Sequence, residues 1–400
     1  MTLIRDVRIF DGTGVLDRGS VLVRGEWIEW VGTGVPPADA EIIDGTGRTL
    51  LPGLIDSHTH SFPGSPVQAL AFGVTTELDM FSSPAIAARL RAEAAGNAGM
   101  ADVRSAGTGA TAPLGYPWVL TTRGIYPPFP TLGHPGQARG FVHDRLAEGS
   151  DYVKIIIEDG VQYGREVPCL SPAAVRALTR AASETGVLSV AHVSTLAAAT
   201  TALDAGVNVL AHVFADRPAD EAFAEAAAAA SAAVVPTLTM HEGCDGGHLA
   251  ADPRIGPYLH PAGRAGLTAG TPRPEIDVAL ASVRRLHEQG VPLLAGTDTP
   301  NPGAAPGAGL HRELELLVAA GLSPAQALTA ATARPAEIFR LAGRGRVAAG
   351  HQADLLLVDG DPTTDITATR SIAAIWRKGA RFDRAAYRRG LRAVTTRTGG

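Results

Sequence analysis

The stretch LLPGLIDSHTH, residues 50–60, decides the fold. It is an apolar run that ends in two histidines, and residues two apart in a β-strand point to the same side. His58 and His60 can therefore reach one metal ion together. The stretch predicts a buried strand whose carboxyl end carries part of a metal site.

Seven further apolar segments follow, separated by Ala-rich stretches with helical character. This alternation is typical of a parallel sheet covered by helices. Eight such units predict an α/β fold, a (β/α)8 TIM barrel that spans residues 51–344. The seven segments are GVTTELDM from Gly73, ADVRSAGTG from Ala101, DYVKIII from Asp151, VLSVAHV from Val187, VNVLAHVF from Val207, AAVVPTLTM from Ala232 and VPLLAGTD from Val291.

The two ends of the chain differ from the middle. Residues 1–50 and 345–400 contain short strand-like runs separated by turns, such as LIRDVRIF and ADLLLVDG. We expect the two ends to pair in a small β-sandwich domain beside the barrel. Residues 111–136 and 241–274 form long inserts after predicted strands three and seven, and inserts of this length are commonly functional lids or disordered segments.

Polar side chains interrupt or end the predicted strands. His58 and His60 end the first, His192 the fifth, His212 the sixth and Asp298 the eighth, at the face where barrel active sites form. Imidazole and carboxylate groups suit zinc and similar divalent ions. Five donors are many for one tetrahedral zinc and few for two ions, so a bridging carboxylate would complete the set.

Lys154 can supply that carboxylate. It lies in the apolar run YVKIII and is one of only two lysines among 35 Lys and Arg residues. Lysine can lose its proton and arginine cannot, so a lysine in this sequence indicates a chemical role. A carbamate formed by its amine and carbon dioxide would bridge two ions. Each of the six residues taken singly could be a buried structural group or a turn residue, and their joint pattern favours a metal site.

Several of these segments resemble the metal-binding motifs of the amidohydrolase superfamily, in particular its imidazolonepropionase-like and Xaa-Pro dipeptidase-like branch. They are GLIDSHTH, DYVKIII, AHVST, LAHVF and AGTDTP, and the tail SPAQALTAATARPAEIFRL with GRVAAGHQADLLLVD is similar too. The resemblance implies a metal-dependent hydrolase that uses a metal-activated water. The bond cleaved would be an amide-type C–N bond in an N-acyl amino acid, a dipeptide or a cyclic amide.

The resemblance also implies roles for the six residues. It implies two divalent ions, expected to be zinc, bridged by carboxylated Lys154. Asp298 would be the catalytic residue that carries a proton from the attacking water to the leaving group. The first ion would be held by His58, His60 and Asp298, and the second by His192 and His212.

Side chains in the loops beyond the strands are candidates for substrate contacts. His241 stands where strand seven opens onto the predicted metal site, and Arg165 could hold a substrate carboxylate. All of them could equally be solvent-facing loop residues. The full set of candidates is Tyr116, Trp118, His134, Tyr163, Arg165 and His241.

Other activities on the same metal site stay open at this point. A deaminase of this fold would place an acidic residue shortly after the strand-five histidine, whereas residues 193–196 here are VSTL. A lactonase and a ring-closing cyclase are further alternatives. A non-catalytic scaffold is the alternative from another class, although such proteins typically lose ligands and all six positions are filled here.

Composition and charge limit the classes of partner that the protein is expected to bind. The formal net charge is −5 and no basic stripe with interleaved aromatics is seen, which argues against nucleic acid. Apolar runs fall short of the ~18 residues that a membrane-spanning helix needs. We therefore expect a cytoplasmic enzyme that acts on a small molecule, without membrane partners, and that forms a homo-oligomer.

Overall fold

The computed structural model describes residues 1–34, 39–243, 246–270, 273 and 275–398. Strands concentrate in the first and last parts of the chain and alternate with helices between them. The strands are β1 Thr2–Phe10, β2 Val15–Arg24, β3 Trp27–Gly32, β4 Glu41–Asp44, β5 Arg48–Pro52, β6 Leu54–Thr59, β7 Val74–Asp79, β8 Asp102–Ser105, β9 Val153–Ile157, β10 Ser189–Val193, β11 Val209–Ala211, β12 Ala233–Val235, β13 Leu355–Asp359, β14 Ile372–Arg377 and β15 Ala380–Arg381.

The helices cover the middle of the chain. Between β9 and β10 the helix begins after Ser171, whose hydroxyl accepts a hydrogen bond from Ala174 N. The helices are α1 Ser65–Ala71, α2 Pro84–Gly96, α3 Trp118–Thr122, α4 Ala138–Ala147, α5 Pro172–Glu184, α6 Leu196–Asp204, α7 Glu221–Ala229, α8 Leu238–Glu242, α9 Gly247–Ala251, α10 Pro261–Thr268, α11 Glu275–Glu288, α12 Ala308–Ala319, α13 Pro324–Ala330, α14 Ala333–Ile338 and α15 Arg384–Thr398.

Strands from both ends of the chain share one mixed sheet. Its order is β15, β14, β13, β5, β1, β2 and β3, with β4 beside β1. The junction is the antiparallel pair of β5 and β13, which runs from Leu355 opposite Pro52 to Asp359 opposite Arg48. Its own apolar core includes Ile4 and Trp376. The stacking of this sheet into a sandwich stays a prediction.

The middle of the chain forms two parallel sheets. One holds β6, β7 and β8, and the other holds β9, β10, β11 and β12 in sequence order. A parallel bridge between Ala110 and Ile155 connects β9 to the segment that follows β8. Parallel strands joined by helices confirm the predicted α/β class.

Alternation along the strands separates two apolar layers. Val153 and Ile155 of β9 pack in the cluster that contains the helices, whereas Tyr152 and Val190 belong to a different cluster on the other side of the sheet. Lys154 lies opposite Val190 in the register of β9 and β10 and therefore shares its side. The pleat itself thus turns this lysine away from the helices.

The eighth predicted segment, residues 291–298, is not a regular strand, and the prediction there was wrong in detail. Leu293 makes an isolated bridge with Val234, but Ala295 N donates to Ala330 O at 2.8 Å instead of to a neighbouring strand. Gly296 passes so close to β6 that a Cβ there would lie 2.8 Å from His58 N. The segment nevertheless runs beside β6 through backbone hydrogen bonds, such as those from Ser57 N to Ala295 O and from Asp298 N to His58 O, without forming a regular strand.

Two other segments differ from the prediction. The seventh strand ends at Val235, and the residues TLTM that follow it enter α8 because Thr237 adopts a left-handed φ of 51°. Parts of the inserts are helical, since the first contains α3 and the described part of the second contains α9 and α10. Among the described residues, no helix is both long and apolar enough to cross a membrane.

Candidate metal centre

The predicted ligands converge at the carboxyl ends of the parallel strands. Asp298 Oδ1 lies 3.2 Å from His58 Nε2 and 3.0 Å from His60 Nε2. His212 and His192 face each other, with 3.1 Å between His212 Nε2 and His192 Nδ1. Ligand atoms of His58, His212 and Asp298 all lie within 4.8 Å of one another. The chain thus gathers four imidazoles and a carboxylate at one place.

Hydrogen bonds to neighbouring side chains determine which ring nitrogen of His192 and of His212 carries the proton. The Thr237 hydroxyl donates to Pro236 O at 2.8 Å, so its oxygen accepts from His212 Nδ1 at 2.6 Å. Glu158 Oε2 lies 3.2 Å from His192 Nε2. A carboxylate can only accept a hydrogen bond, so His192 Nε2 is the donor. Both remaining nitrogens, His212 Nε2 and His192 Nδ1, are then bare lone pairs that face each other.

The same reasoning applies to the other pair of histidines. His60 Nδ1 lies 3.1 Å from Phe81 O, which can only accept, so Nδ1 carries a proton and Nε2 is the nitrogen that faces Asp298 Oδ1. Asp298 Oδ1 and His58 Nδ1 are buried without a hydrogen-bond partner. Facing acceptors repel unless a cation lies between them, so this donor set fits divalent metal ions.

Burial keeps two of the predicted nitrogen ligands, His58 and His212, in the form that binds metal, whereas the hydrogen bond and charge of Asp298 outweigh burial and raise the pKa of His60. Burial lowers the pKa of His58 to about 3 and holds the pKa of His212 well below its usual range. Neutral imidazole is the ligand form, so these rings are ready for an ion at neutral pH. Burial would raise the pKa of Asp298, but its histidine neighbours hold it well below the usual range.

Lys154 lies in the same cavity with its amine unpaired. The residue is 3% exposed, and its Nζ is buried without a hydrogen-bond partner. Burial lowers the pKa of Lys154 to about 7, although the charges of Asp298 and Asp79 oppose the shift. A large fraction of such an amine is uncharged near neutral pH. That is the nucleophilic form that carboxylation needs.

Two residues of the centre adopt a strained backbone conformation. Thr237 has φ 51° and Asp298 has φ 57°, a region that residues other than glycine rarely occupy. Hydrogen bonds hold both in place, since Asp298 N donates to His58 O at 2.8 Å and Thr237 contacts His212. Strain of this kind typically marks positions that serve a site instead of stability.

A cavity of about 500 Å³ opens above the ligands and contains one of the predicted substrate residues in its wall. Tyr116 lines this cavity and stacks on His192, with 5.3 Å between ring centroids and 25° between ring planes. Lys154 and the four histidines line its floor together with Asp298. The volume is typical of a pocket for a small molecule.

The other five predicted substrate residues do not line this cavity. Trp118 packs edge-on against Phe129, with 5.4 Å between centroids. His241 is buried, and its Nε2 lies 2.7 Å from Val213 O. The remaining three, His134, Tyr163 and Arg165, are exposed at the surface.

Two acidic residues that the sequence reading passed over support the centre. Asp56 Oδ1 accepts from His58 N at 3.2 Å and from Thr297 N at 3.0 Å, which joins β6 to the Asp298 segment. Glu158 orients His192 and accepts from Gly160 N. Position is the signal that could have found them, since both lie beside predicted ligands at the ends of strands.

Strands with helices between them and histidines gathered at their carboxyl ends define an α/β protein with a candidate metal centre. The chain belongs to the amidohydrolase family, whose sequence model matches residues 49–381. The predicted amidohydrolase family is thereby confirmed.

Individual relatives agree with this assignment. The chain is 25% identical to imidazolonepropionase from Deinococcus radiodurans over 406 residues, which cover 92% of this chain and 93% of that protein. A crystal structure of a Xaa-Pro dipeptidase superposes with a TM-score of 0.76 at 22% identity, covering 96% of this chain and 99% of that one. Phenylurea hydrolase B superposes with a TM-score of 0.76 at 23% identity, covering 96% and 97%. At these identities the two structures show the fold alone.

Proposed function

We propose that this protein is a metal-dependent hydrolase that cleaves an amide-type C–N bond of a small molecule. The observation that carries the proposal is the pair of lone-pair nitrogens, His192 Nδ1 and His212 Nε2, at 3.1 Å. Two ring nitrogens held this close by their other partners are placed to share one cation. Family membership and the imidazolonepropionase relative support hydrolysis of a C–N bond as the reaction.

The proposal includes the closed barrel and the two domains expected from the sequence. Closure is supported by the bridge between Ala110 and Ile155 and by those from Val234 to Leu293 and from Thr59 to Thr299. With these links, residues 51–344 would form a (β/α)8 ring, and residues 1–50 and 345–400 a small β domain beside it. A ring of this kind places all carboxyl ends at one face.

Six residues would hold two divalent ions, with zinc as the expected metal. His58, His60 and Asp298 form one ligand group, and His192 and His212 form the other. Carboxylated Lys154, which lines the same cavity, would lie between them. Bound there, such ions would supply an activated water and polarise the carbonyl of the scissile bond.

Side chains of the centre would orient the Asp298 carboxylate, transfer a proton and shield the site from solvent. Asn301 Nδ2 donates to Asp298 Oδ2 at 2.7 Å and fixes the plane of this carboxylate. Asp298 would accept the proton of the attacking water and deliver it to the leaving nitrogen. Tyr116 closes one side of the cavity over His192 and shields the site from solvent.

We expect elemental analysis of the purified protein to give about two divalent ions per chain, because the ligand set exceeds one tetrahedral site. Chelation should abolish hydrolysis of the best amide from a screen of N-acyl amino acids, dipeptides, cyclic imides and neutral aryl amides. Added zinc should restore it. One ion at full occupancy in fully active protein would contradict the two-ion centre, and activity that survives complete metal removal would contradict metal dependence.

We expect Glu158→Leu to weaken metal binding about 10–100-fold, the usual effect of losing the partner that orients a histidine ligand. Without this carboxylate, nothing holds the proton of His192 on Nε2. The measurement is a competition titration of zinc against a chromophoric chelator. Glu166→Gln, an exposed carboxylate in the next loop, is the matched control and should bind like the unaltered protein. Unchanged affinity in Glu158→Leu would remove this residue from the centre.

A further inference from the structure

The wall of the cavity above the metal centre is apolar and aromatic. It includes Phe62, Phe81, Ile86, Leu120, Ile125 and Ile156. Phe81 packs edge-on against Tyr126 at 5.4 Å and against Phe129 at 5.2 Å, which fixes the shape of this wall. An aromatic wall of this kind contacts a flat apolar group well and offers no specific contact to a carboxylate.

Apart from the Tyr116 hydroxyl, polar side chains in the described part of the same wall have already used their donors. The Tyr126 hydroxyl donates to Phe81 O at 2.9 Å, and the hydroxyls of Ser61 and Ser82 donate to buried carboxylates at 2.8 and 2.7 Å. The amide of Asn301 donates to Asp298. These groups cannot turn to a substrate without leaving a buried partner unsatisfied.

A positive side chain that could bind a substrate carboxylate is also missing from the described part of the wall. Lys154 is the only Lys or Arg among the described lining residues, and it belongs to the metal centre. Arg165, expected to anchor a carboxylate, is exposed on a loop outside the cavity. A carboxylate held against this apolar wall would lose its hydration and gain no cationic side chain as a partner, which is costly.

We propose that this cavity selects uncharged substrates, namely amides in which a neutral aromatic or other apolar group flanks the scissile bond. N-acyl amino acids and dipeptides, which carry a carboxylate next to that bond, would be poor substrates. This inference rests on the proposed hydrolase function for its chemistry. Its binding part stands on the wall alone and is tested separately.

A matched pair of ligands tests the inference. N-(2-phenylethyl)benzamide and N-benzoylphenylalanine differ only in the carboxylate beside the amide nitrogen. Equilibrium dialysis against the purified, metal-loaded protein measures the binding of each, and released benzoate measures hydrolysis. We expect the neutral amide to bind at least about 30-fold more tightly, a cautious figure for an unpaired buried charge. Its hydrolysis should be favoured by at least the same factor.

Each outcome separates the two proposals. Tighter binding of the neutral amide without benzoate from either ligand supports the substrate class and contradicts hydrolysis. Equal or tighter binding of N-benzoylphenylalanine with benzoate release overturns the substrate class and supports hydrolysis. Failure of both ligands to bind overturns the substrate class as well, because this wall should then have accepted the neutral one.

A charge placed in the wall should reverse the preference. Leu120→Arg puts a guanidinium in the wall from α3, and we expect it to tighten N-benzoylphenylalanine at least about tenfold and to weaken the neutral amide. Leu114→Arg is the matched control, since Leu114 lies in the same insert, is 63% exposed and does not line the cavity. Metal content and melting temperature of both variants show whether they fold. A folded Leu120→Arg protein with unchanged preference would contradict the inference.

Discussion

Asp298→Asn is expected to leave the fold intact and to lower turnover by about 10²–10⁴-fold, the usual contribution of a positioned acid or base. The change is nearly isosteric, and the asparagine oxygen can still accept from Asn301, which now contacts Oδ2 at 2.7 Å. What the variant loses is the negative charge and the ability to take a proton.

Three measurements separate these roles of Asp298. Melting temperature reports the fold, elemental analysis reports ligation, and turnover of the best amide reports proton transfer. Asp204→Asn, an exposed aspartate at the end of α6, is the matched control and should match the unaltered protein in all three. An Asp298→Asn protein with full metal content and nearly full turnover would leave Asp298 as a ligand only.

Lys154→Ala is expected to lower activity by more than about 100-fold, because even the partners of metal ligands are worth 10–100-fold. The unpaired buried amine and its lowered pKa are what make this lysine a candidate for carboxylation. Short carboxylic acids such as acetate or propionate should restore part of the activity by occupying the place of the missing carboxylate. Lys154→Arg should not be rescued, since the arginine fills that space and cannot form a carbamate.

The chain offers a close control for this experiment. Lys378 is the only other lysine, and its Nζ donates to Ala95 O at the surface. Lys378→Ala should retain full activity and should not respond to added acids. Carbon-13 spectra of protein equilibrated with labelled carbon dioxide should show a carbamate signal that Lys154→Ala lacks. Full activity in Lys154→Arg would exclude the bridging role.

The sequence predicted the strands that carry the ligands because their apolar runs are long and regular. In YVKIII, alternation alone is enough to turn Lys154 to the side of Val190 and away from the helices. The sequence failed where the structure depends on contacts between distant residues. The sequence before Asp298 predicts a strand. In the structure, however, Ala295 N donates a hydrogen bond to Ala330 O and not to a neighbouring strand.

Loop residues were harder to place because no periodicity constrains them. Tyr116 and Trp118 lie close in the sequence and looked equivalent, but only Tyr116 lines the cavity while Trp118 packs on Phe129. The sequence gives no clear sign of a role for Glu158, because a carboxylate after a strand is commonly a turn residue. Its contact with His192 comes from the neighbouring strand and cannot be read from local sequence.

The hydrogen bonds of Asp56 have a consequence for how the chain assembles. Two of its three donors belong to Thr297, which lies 241 residues further along the chain. A nascent chain that has left the ribosome only as far as β12 does not yet include Thr297. The carboxyl group of Asp56, which is buried in the finished protein, then has only His58 N as a donor. Strand β6 is synthesised early, but its carboxyl end, with His58 and His60, reaches its final environment only when the segment that contains Thr297 has been synthesised. Late, long-range closure of this kind slows folding and leaves the arrangement of the candidate metal ligands to the end of synthesis.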